Sequence, residues 1–409
     1  MKNKGGQVSS KQVDRIALCA ALSLFLSIVE LVIPKPIPFF RLGLANLPLL
    51  IALTMFTRRE FVLLIALKIF GQGIVAGTLF SYVFLFSAAG SISSGLVMLI
   101  LRRWYPVRIS LVGIGVLGAF ASNTAQLLFA SAFIFGRSTW LIAPLFLLIG
   151  TITGTVLGGI AGYLLQHSRW LEVMPLPQSA PETEHLQPEA DRGVRTAAHD
   201  SDARVSPLLR LVSGLVMIPP FLLQTSIPFK IVHIVLFGLL SVYLGKRVRI
   251  MPGMLIVAAV TAAQLLIPLG EVLLYIGSFP ITAAALEQGL ERGLNLVGLV
   301  YLSRYAVSPR LPIPGRVGAL LYRVFFYFEE LTAYRIIRDR NAGFKQNIKQ
   351  ALLGIDEFLL RLAAPGREAN AAAGGNTQPV PGGAVFVPLA AVVLHWGLYA
   401  AVLLFQISW

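Results

Sequence analysis

The segment Arg41-Leu42-Gly43-Leu44-Ala45-Asn46-Leu47-Pro48 joins a polar, turn-rich stretch to the start of a long apolar run. Apolar runs also precede and follow it, and together they fill most of the first 166 residues. They approach or reach the roughly 20 residues that a spanning helix needs, and they lie at about 15–33, 44–56, 60–80, 81–101, 110–135 and 140–166. The segment therefore predicts polar groups at the mouth of a helical bundle.

The composition places the chain in a membrane. Of its 409 residues, 56% are hydrophobic and 13% are charged, whereas soluble domains carry roughly 25% charged residues. A transmembrane β-barrel would show alternating segments of about 10 residues instead of these continuous runs. We therefore predict an all-α, polytopic helical protein of the cell membrane, in contact with the lipid bilayer.

The distribution of basic residues gives the orientation. The formal net charge is +15, and many lysines and arginines cluster in alternate short loops of the first half. Because cytoplasmic loops carry an excess of Lys and Arg, both ends of this half are predicted to be cytoplasmic, including the N-terminus. The sequence contains no basic motif with interleaved aromatic residues, so it does not indicate a nucleic acid partner. Cys19 is the one cysteine, which excludes an intrachain disulfide.

The second half is separated from the first by a change in composition. Residues 167–206 are rich in Pro, Ala and charges of both signs, and they predict a disordered cytoplasmic linker between domains at 1–166 and 207–409. Further spans, which bring the predicted total to about 11 in two bundles, lie at about 208–225, 229–245, 252–270, 281–306 and 384–408. Residues 315–362 alternate apolar and charged residues at helical spacing and predict two amphipathic cytoplasmic helices.

Several polar residues fall inside or beside the spans of the first half. Lys68 lies in the middle of a span, where a lysine needs a carboxylate, a cavity or an anionic ligand, and Glu30 is the obvious carboxylate. Asn46 could instead cap a helix, and the amides of Asn123 and Gln126 could simply join helices. We nevertheless predict that one outward-facing polar pocket binds a small molecule through Glu30, Arg41, Asn46, Lys68, Gln72, Asn123 and Gln126.

Motifs for catalysis are missing from the sequence. It has no aspartate-rich pair of the kind that holds magnesium and a diphosphate, no HExxH motif and no phosphate-binding loop. We therefore predict neither a metal site nor a cofactor, and we do not expect the chain to be an enzyme by itself.

Three strings of the first half carry a family resemblance: RLGLANLPLLIAL, GTLFSYVFLFSAAGSISSGLVMLIL and GAFASNTAQLLFASAF. Residues 14–166 resemble the Gx transporter family, which also carries the label heptaprenyl diphosphate synthase component I. That family is similar to the six-helix, substrate-binding S components of energy-coupling-factor importers. The resemblance implies that Asn46, Lys68, Asn123 and Gln126 stand at recurring polar positions of the family.

The second half resembles another subunit of the same importers. Four spans, two amphipathic helices and a last span look like the T component, which couples substrate binding to cytoplasmic ATPase subunits. This resemblance implies that Arg335, Arg338, Arg340 and Arg361 dock those ATPases. The leading interpretation is therefore an S-like half fused to a T-like half. The alternative is a non-catalytic membrane partner of a prenyl diphosphate synthase subunit, or of quinone- or flavin-linked electron transfer.

Overall fold

A computed structural model of the chain describes residues 10–32, 43–173, 205–246, 248, 250–266, 270–276, 279–308, 315–333, 357, 359–360 and 385–407. About 87% of this part is helical, which agrees with the prediction of an all-α membrane protein. The helices of the first half are α1 (Ser10–Val32), α2 (Leu47–Met55), α3 (Arg58–Val75), α4 (Tyr82–Leu101), α5 (Leu111–Ala130), α6 (Thr139–His167) and α7 (Arg169–Val173).

Helices of the second half are α8 (Pro207–Leu223), α9 (Ile227–Tyr243), α10 (Ile250–Leu265), α11 (Ala283–Ala306), α12 (Gly315–Ala333) and α13 (Phe386–Ile407). A two-stranded antiparallel hairpin, β1 (Val272–Ile276) and β2 (Phe279–Thr282), precedes α11. This hairpin lies between the predicted spans at about 252–270 and 281–306, and it is a short addition to an otherwise helical fold. The strands form because β-branched and aromatic residues predominate there.

Local sequence explains where the helices of the first half begin. Thr57 and Glu60 form a capping box at the start of α3, in which the Thr57 amide donates to Glu60 Oε2 at 2.7 Å and the Glu60 amide donates to Thr57 Oγ1 at 3.4 Å. Ser110 caps α5 by accepting from the Gly113 amide at 3.2 Å. These bonds satisfy amide groups that a helix start leaves without an intrahelical partner.

Two main groups of buried apolar side chains hold the helices together. One is centred on α1, α2 and α3, and the other on α8, α9 and α11. Helix α12 packs its apolar face against α1 and α3, so it joins the first group although it follows the second in the chain. At the edge of this contact, Arg323 Nη1 lies 2.5 Å from Asp14 Oδ1.

The surface of the helices is apolar where a soluble protein would be polar. On α6 an exposed apolar face is formed by Leu141, Leu145, Leu148, Ile152 and Val156. Within the described residues, five helices are long and apolar enough to cross a membrane, and they lie at Gln12–Glu30, Tyr82–Trp104, Leu111–Phe135, Thr139–His167 and Phe386–Leu404. An apolar exterior of this extent is what a bilayer requires. The chain is therefore a helical membrane protein, while the total of 11 spans in two bundles stays a prediction.

Candidate ligand-binding cavity

The turn before α2 brings together polar groups from α1 and α2. Gly43 has φ +78°, a left-handed conformation that glycine adopts without steric cost. This conformation allows the Asn46 amide to donate to the Gly43 carbonyl at 2.8 Å. The backbone amide of Leu44, the residue after Gly43, donates to Glu30 Oε2 at 3.1 Å. The Glu30 carboxylate at the end of α1 therefore lies against the turn.

Lys68 reaches the same turn from α3. Its side chain is only 3% exposed, and its Nζ donates a short hydrogen bond to Asn46 Oδ1. Asn46 makes no capping hydrogen bond with its side chain. Asn46 thus stands at the N-cap position of α2 without capping the helix through its side chain, and its amide oxygen accepts from a buried ammonium instead.

Gln72 lies one turn after Lys68 on α3 and connects three helices. Its Nε2 donates to Ser27 Oγ on α1 at 2.5 Å, and its Oε1 accepts from Ser87 Oγ on α4 at 2.9 Å. Because its donor and its acceptor both have partners, this amide is held in one orientation.

The amides of α5 complete the opposite wall. Asn123 Nδ2 donates to the Phe146 carbonyl on α6 at 2.9 Å, and Gln126 Nε2 donates to Ser122 Oγ at 3.0 Å. Asn123 thus joins α5 to α6, which agrees with the alternative prediction that its amide holds two helices together. It also lines the space between them.

These side chains surround one shared cavity of about 50 Å³. Its lining includes six of the seven predicted ligand-binding residues: Glu30, Asn46, Lys68, Gln72, Asn123 and Gln126. The seventh, Arg41, lies outside the described residues, as do the predicted partner-coupling residues Arg335, Arg338, Arg340 and Arg361. A binding role for the six residues stays a prediction, but the structure brings them to a common space.

The hydroxyl groups of this cavity were not among the predicted ligand-binding groups. Ser87, Ser91, Ser122 and Thr153 also line it. Ser87 and Ser91 lie four residues apart on α4, a spacing that places them on one helix face, and this signal was available in the sequence. Serine and threonine are common in membrane helices, however, so their presence alone did not point to a cavity.

The lining of the cavity mixes charged, polar and apolar groups. It combines one carboxylate, one ammonium, neutral amides and hydroxyls with apolar side chains such as Leu50 and Leu157. Among the residues that the structure describes, no three His, Cys, Asp or Glu side chains come together to hold a metal ion. The arrangement can donate and accept hydrogen bonds around a small polar molecule and can neutralise a charge of either sign.

The fold and the cavity define a helical membrane protein with a polar internal site. Residues 19–164 match the family model described as heptaprenyl diphosphate synthase component I, so the resemblance predicted for residues 14–166 is confirmed at the level of that family. Residues 206–308 match a model described as a domain of unknown function, DUF8519. No curated protein and no solved structure matches the chain.

Proposed function

We propose that the chain is the membrane part of an energy-coupling-factor-type importer. Its first half binds a small polar molecule in the cavity around Lys68, and its second half passes the movement of separate ATPase subunits to that site. The observation that carries the proposal is the convergence of buried polar side chains from α1, α3, α4 and α5 on one space. Burying these groups inside an apolar bundle costs free energy, and sites of this kind are usually functional.

The size of the cavity limits the ligand. A water molecule needs a cavity volume of roughly 10–15 Å³, so the cavity of about 50 Å³ holds only a few water molecules. Drug-sized ligands occupy pockets of roughly 300–1,000 Å³, and a molecule of vitamin size requires the helices around the cavity to separate. A polyprenyl chain is apolar and would form no hydrogen bonds with the amides, hydroxyls and charged groups of the lining, so the lining favours a compact polar ligand.

Contacts between the halves support a coupling role. The Phe80 amide, in the loop before α4, donates to Ser303 Oγ on α11 at 3.1 Å. In addition, α12 packs on α1, the helix that carries Glu30. A force applied to the second half therefore reaches two of the elements that enclose the cavity.

The test is to identify small molecules that copurify with the chain. Mass spectrometry of the purified full chain should find a polar molecule at about one per chain, and Lys68→Met should lose it while keeping the same elution volume in detergent. Gly159→Ala is the matched control, because a methyl group at Gly159 meets no atom within 4 Å. Equal amounts of every copurifying molecule in Lys68→Met and the control would refute a binding role for this cavity.

The coupling half needs a separate measurement. An affinity-tagged chain purified under conditions that preserve complexes should bring down a cytoplasmic ATPase. If it never does so, the T-like role fails, whereas the binding role of the cavity is decided by mass spectrometry alone.

The family match favours a second candidate function. The chain would be a non-catalytic membrane component that assists heptaprenyl diphosphate synthesis, as the description of the matching family suggests. A soluble prenyl diphosphate synthase should then change its activity or product length when the chain is added in vesicles. Unchanged activity and product length would exclude this candidate.

A further inference from the structure

A pair of buried histidines lies in the second half, apart from the cavity described above. His233 on α9 and His395 on α13 are both 0% exposed, and their ring centroids lie 4.9 Å apart. Aromatic rings surround them: His395 stacks on Phe237 at 4.6 Å with an interplanar angle of 8°, and Phe221 meets His233 edge-on at 6.1 Å. The pair is therefore held in an apolar, aromatic shell.

The nitrogen atoms of the pair are poorly satisfied by the protein. His395 Nδ1 lies 2.7 Å from the Ala391 carbonyl, and Nε2 of His395 and both ring nitrogens of His233 are buried with no hydrogen-bond partner in the structure. A buried polar atom without a partner costs roughly 1–3 kcal/mol. Three such atoms lie together in this cluster.

The hydrogen bond of His395 has the form that metal-binding histidines use. A carbonyl can only accept, so Nδ1 of His395 carries the hydrogen and its Nε2 presents a lone pair. Histidines that ligate metals usually donate their other ring N–H to a carbonyl or carboxylate in this manner. Two imidazoles that share one ion at about 2.0 Å place their ring centroids roughly 5–6 Å apart, close to the 4.9 Å found here.

A third donor is available on α8. Met217 is 0% exposed and belongs to the same buried cluster as Phe221 and Phe237. Trp396 Nε1, next to His395 in the chain, donates to the carbonyl of Val216 at 3.2 Å. This bond joins α13 to α8 through the chain neighbours of His395 and Met217.

We propose that His233, His395 and the thioether of Met217 form an intramembrane binding site for a soft monovalent cation, Cu(I). Imidazole and thioether ligands suit Cu(I) better than they suit hard cations, and thioether sulfur is polarizable and tolerates an apolar shell.

The surrounding charges favour a monovalent over a divalent ion. Lys230 lies one turn before His233 on α9, is 0% exposed, and pairs with Glu291 Oε1 at 3.0 Å. The ion pair supplies no excess negative charge to offset a buried cation, and the positive charge of Lys230 acts on His233. Because the cost of burying an ion rises steeply with its charge, a single positive charge is the better fit.

The experiment measures Cu(I) binding to the purified full chain in detergent, without oxygen, against a coloured Cu(I) chelator. His185→Ala and His199→Ala are included in every protein, because these histidines of the linker could bind metal on their own. We expect about one Cu(I) per chain, weakened by about 100-fold or more in His233→Phe and in His395→Phe. His167→Phe is the matched control, since His167 is an exposed residue at the end of α6.

X-ray absorption of the Cu(I)-loaded protein tests the ligand set directly and does not depend on the folding of any histidine variant. The spectrum should contain nitrogen at about 2.0 Å and a sulfur contribution that Met217→Leu removes and Met254→Leu leaves intact, Met254 being 67% exposed. Equal Cu(I) affinity in the two histidine variants and the control, no binding at all, or a sulfur signal that depends on Cys19 would each overturn the proposal.

Discussion

The contact between α5 and α6 allows a sharp test of how closely these helices must approach. Gly158 on α6 lies against α5, where a Cβ atom would come 2.5 Å from Val112 Cα and 2.7 Å from the Leu111 carbonyl oxygen. The next residue, Gly159, has no atom within 4 Å of such a Cβ. Gly158→Ala and Gly159→Ala therefore make the same chemical change on the same helix, one into a closed contact and the other into open space.

The expected magnitude follows from these distances. Ordinary contact begins at 3.4 Å, so the methyl group at Gly158 must push the backbones apart by about 0.9 Å. Overpacking of this kind costs about 1–3 kcal/mol, while replacing glycine by alanine in a helix gains about 0.5–1 kcal/mol in either variant. The gain cancels between the two proteins, so Gly158→Ala should be less stable than Gly159→Ala by about 1–3 kcal/mol.

Equilibrium unfolding of the full chain in mixed detergent micelles, followed by the loss of helical circular dichroism, measures this difference. Gly158 lies one turn after Gly154, which lines the cavity, so a forced separation of the helices should also reduce the copurifying ligand. If the two variants unfold at the same detergent fraction, the close approach of α5 and α6 is not what the structure describes.

Three further changes test the polar contacts. Glu30→Gln combined with Lys68→Met should remain unable to retain the copurifying molecule; retention, measured by mass spectrometry, would show that Lys68 only balances Glu30. Asn123→Leu removes a buried interhelical hydrogen bond and should lower the free energy of unfolding by about 1–3 kcal/mol, measured by detergent unfolding. Arg323→Ala breaks a partly exposed ion pair with Asp14 and should lower the free energy of unfolding by only about 0.2–1 kcal/mol. If Arg323→Ala and Asp14→Ala together lower it by the sum of their separate effects, the two side chains are not paired.

Physical constraints of the membrane explain why the composition of the cavity could be predicted. Inside a bilayer a polar side chain is costly against lipid, so polar residues in the middle of a span turn towards the bundle interior. Lys68, Gln72, Asn123 and Gln126 obey that constraint, and they line one space. Their individual partners could not be predicted, because those depend on the rotation of each helix about its axis.

Helix α12 shows the opposite case. Its alternation of apolar and charged residues predicted an amphipathic cytoplasmic helix. The sequence pattern predicts that one face of the helix is apolar, but it does not predict which part of the molecule covers that face. In the structure Leu320, Leu321 and Val324 pack into the core of the first half, a contact across almost 300 residues of sequence that no local periodicity encodes.

The end of α5 links the cavity to the second half by hydrogen bonds. After Gln126 the helix widens into a π-helical turn at Ser131–Phe135, and such turns disturb the regular pairing of backbone groups. The carbonyl of Ile134 in this turn accepts from Gln264 Nε2 at 2.6 Å and from Arg292 Nη1 at 2.8 Å, both from the second half. Two donors on one buried carbonyl fix the end of the helix that carries a cavity wall, so a displacement of α10 or α11 must either move α5 or break these bonds.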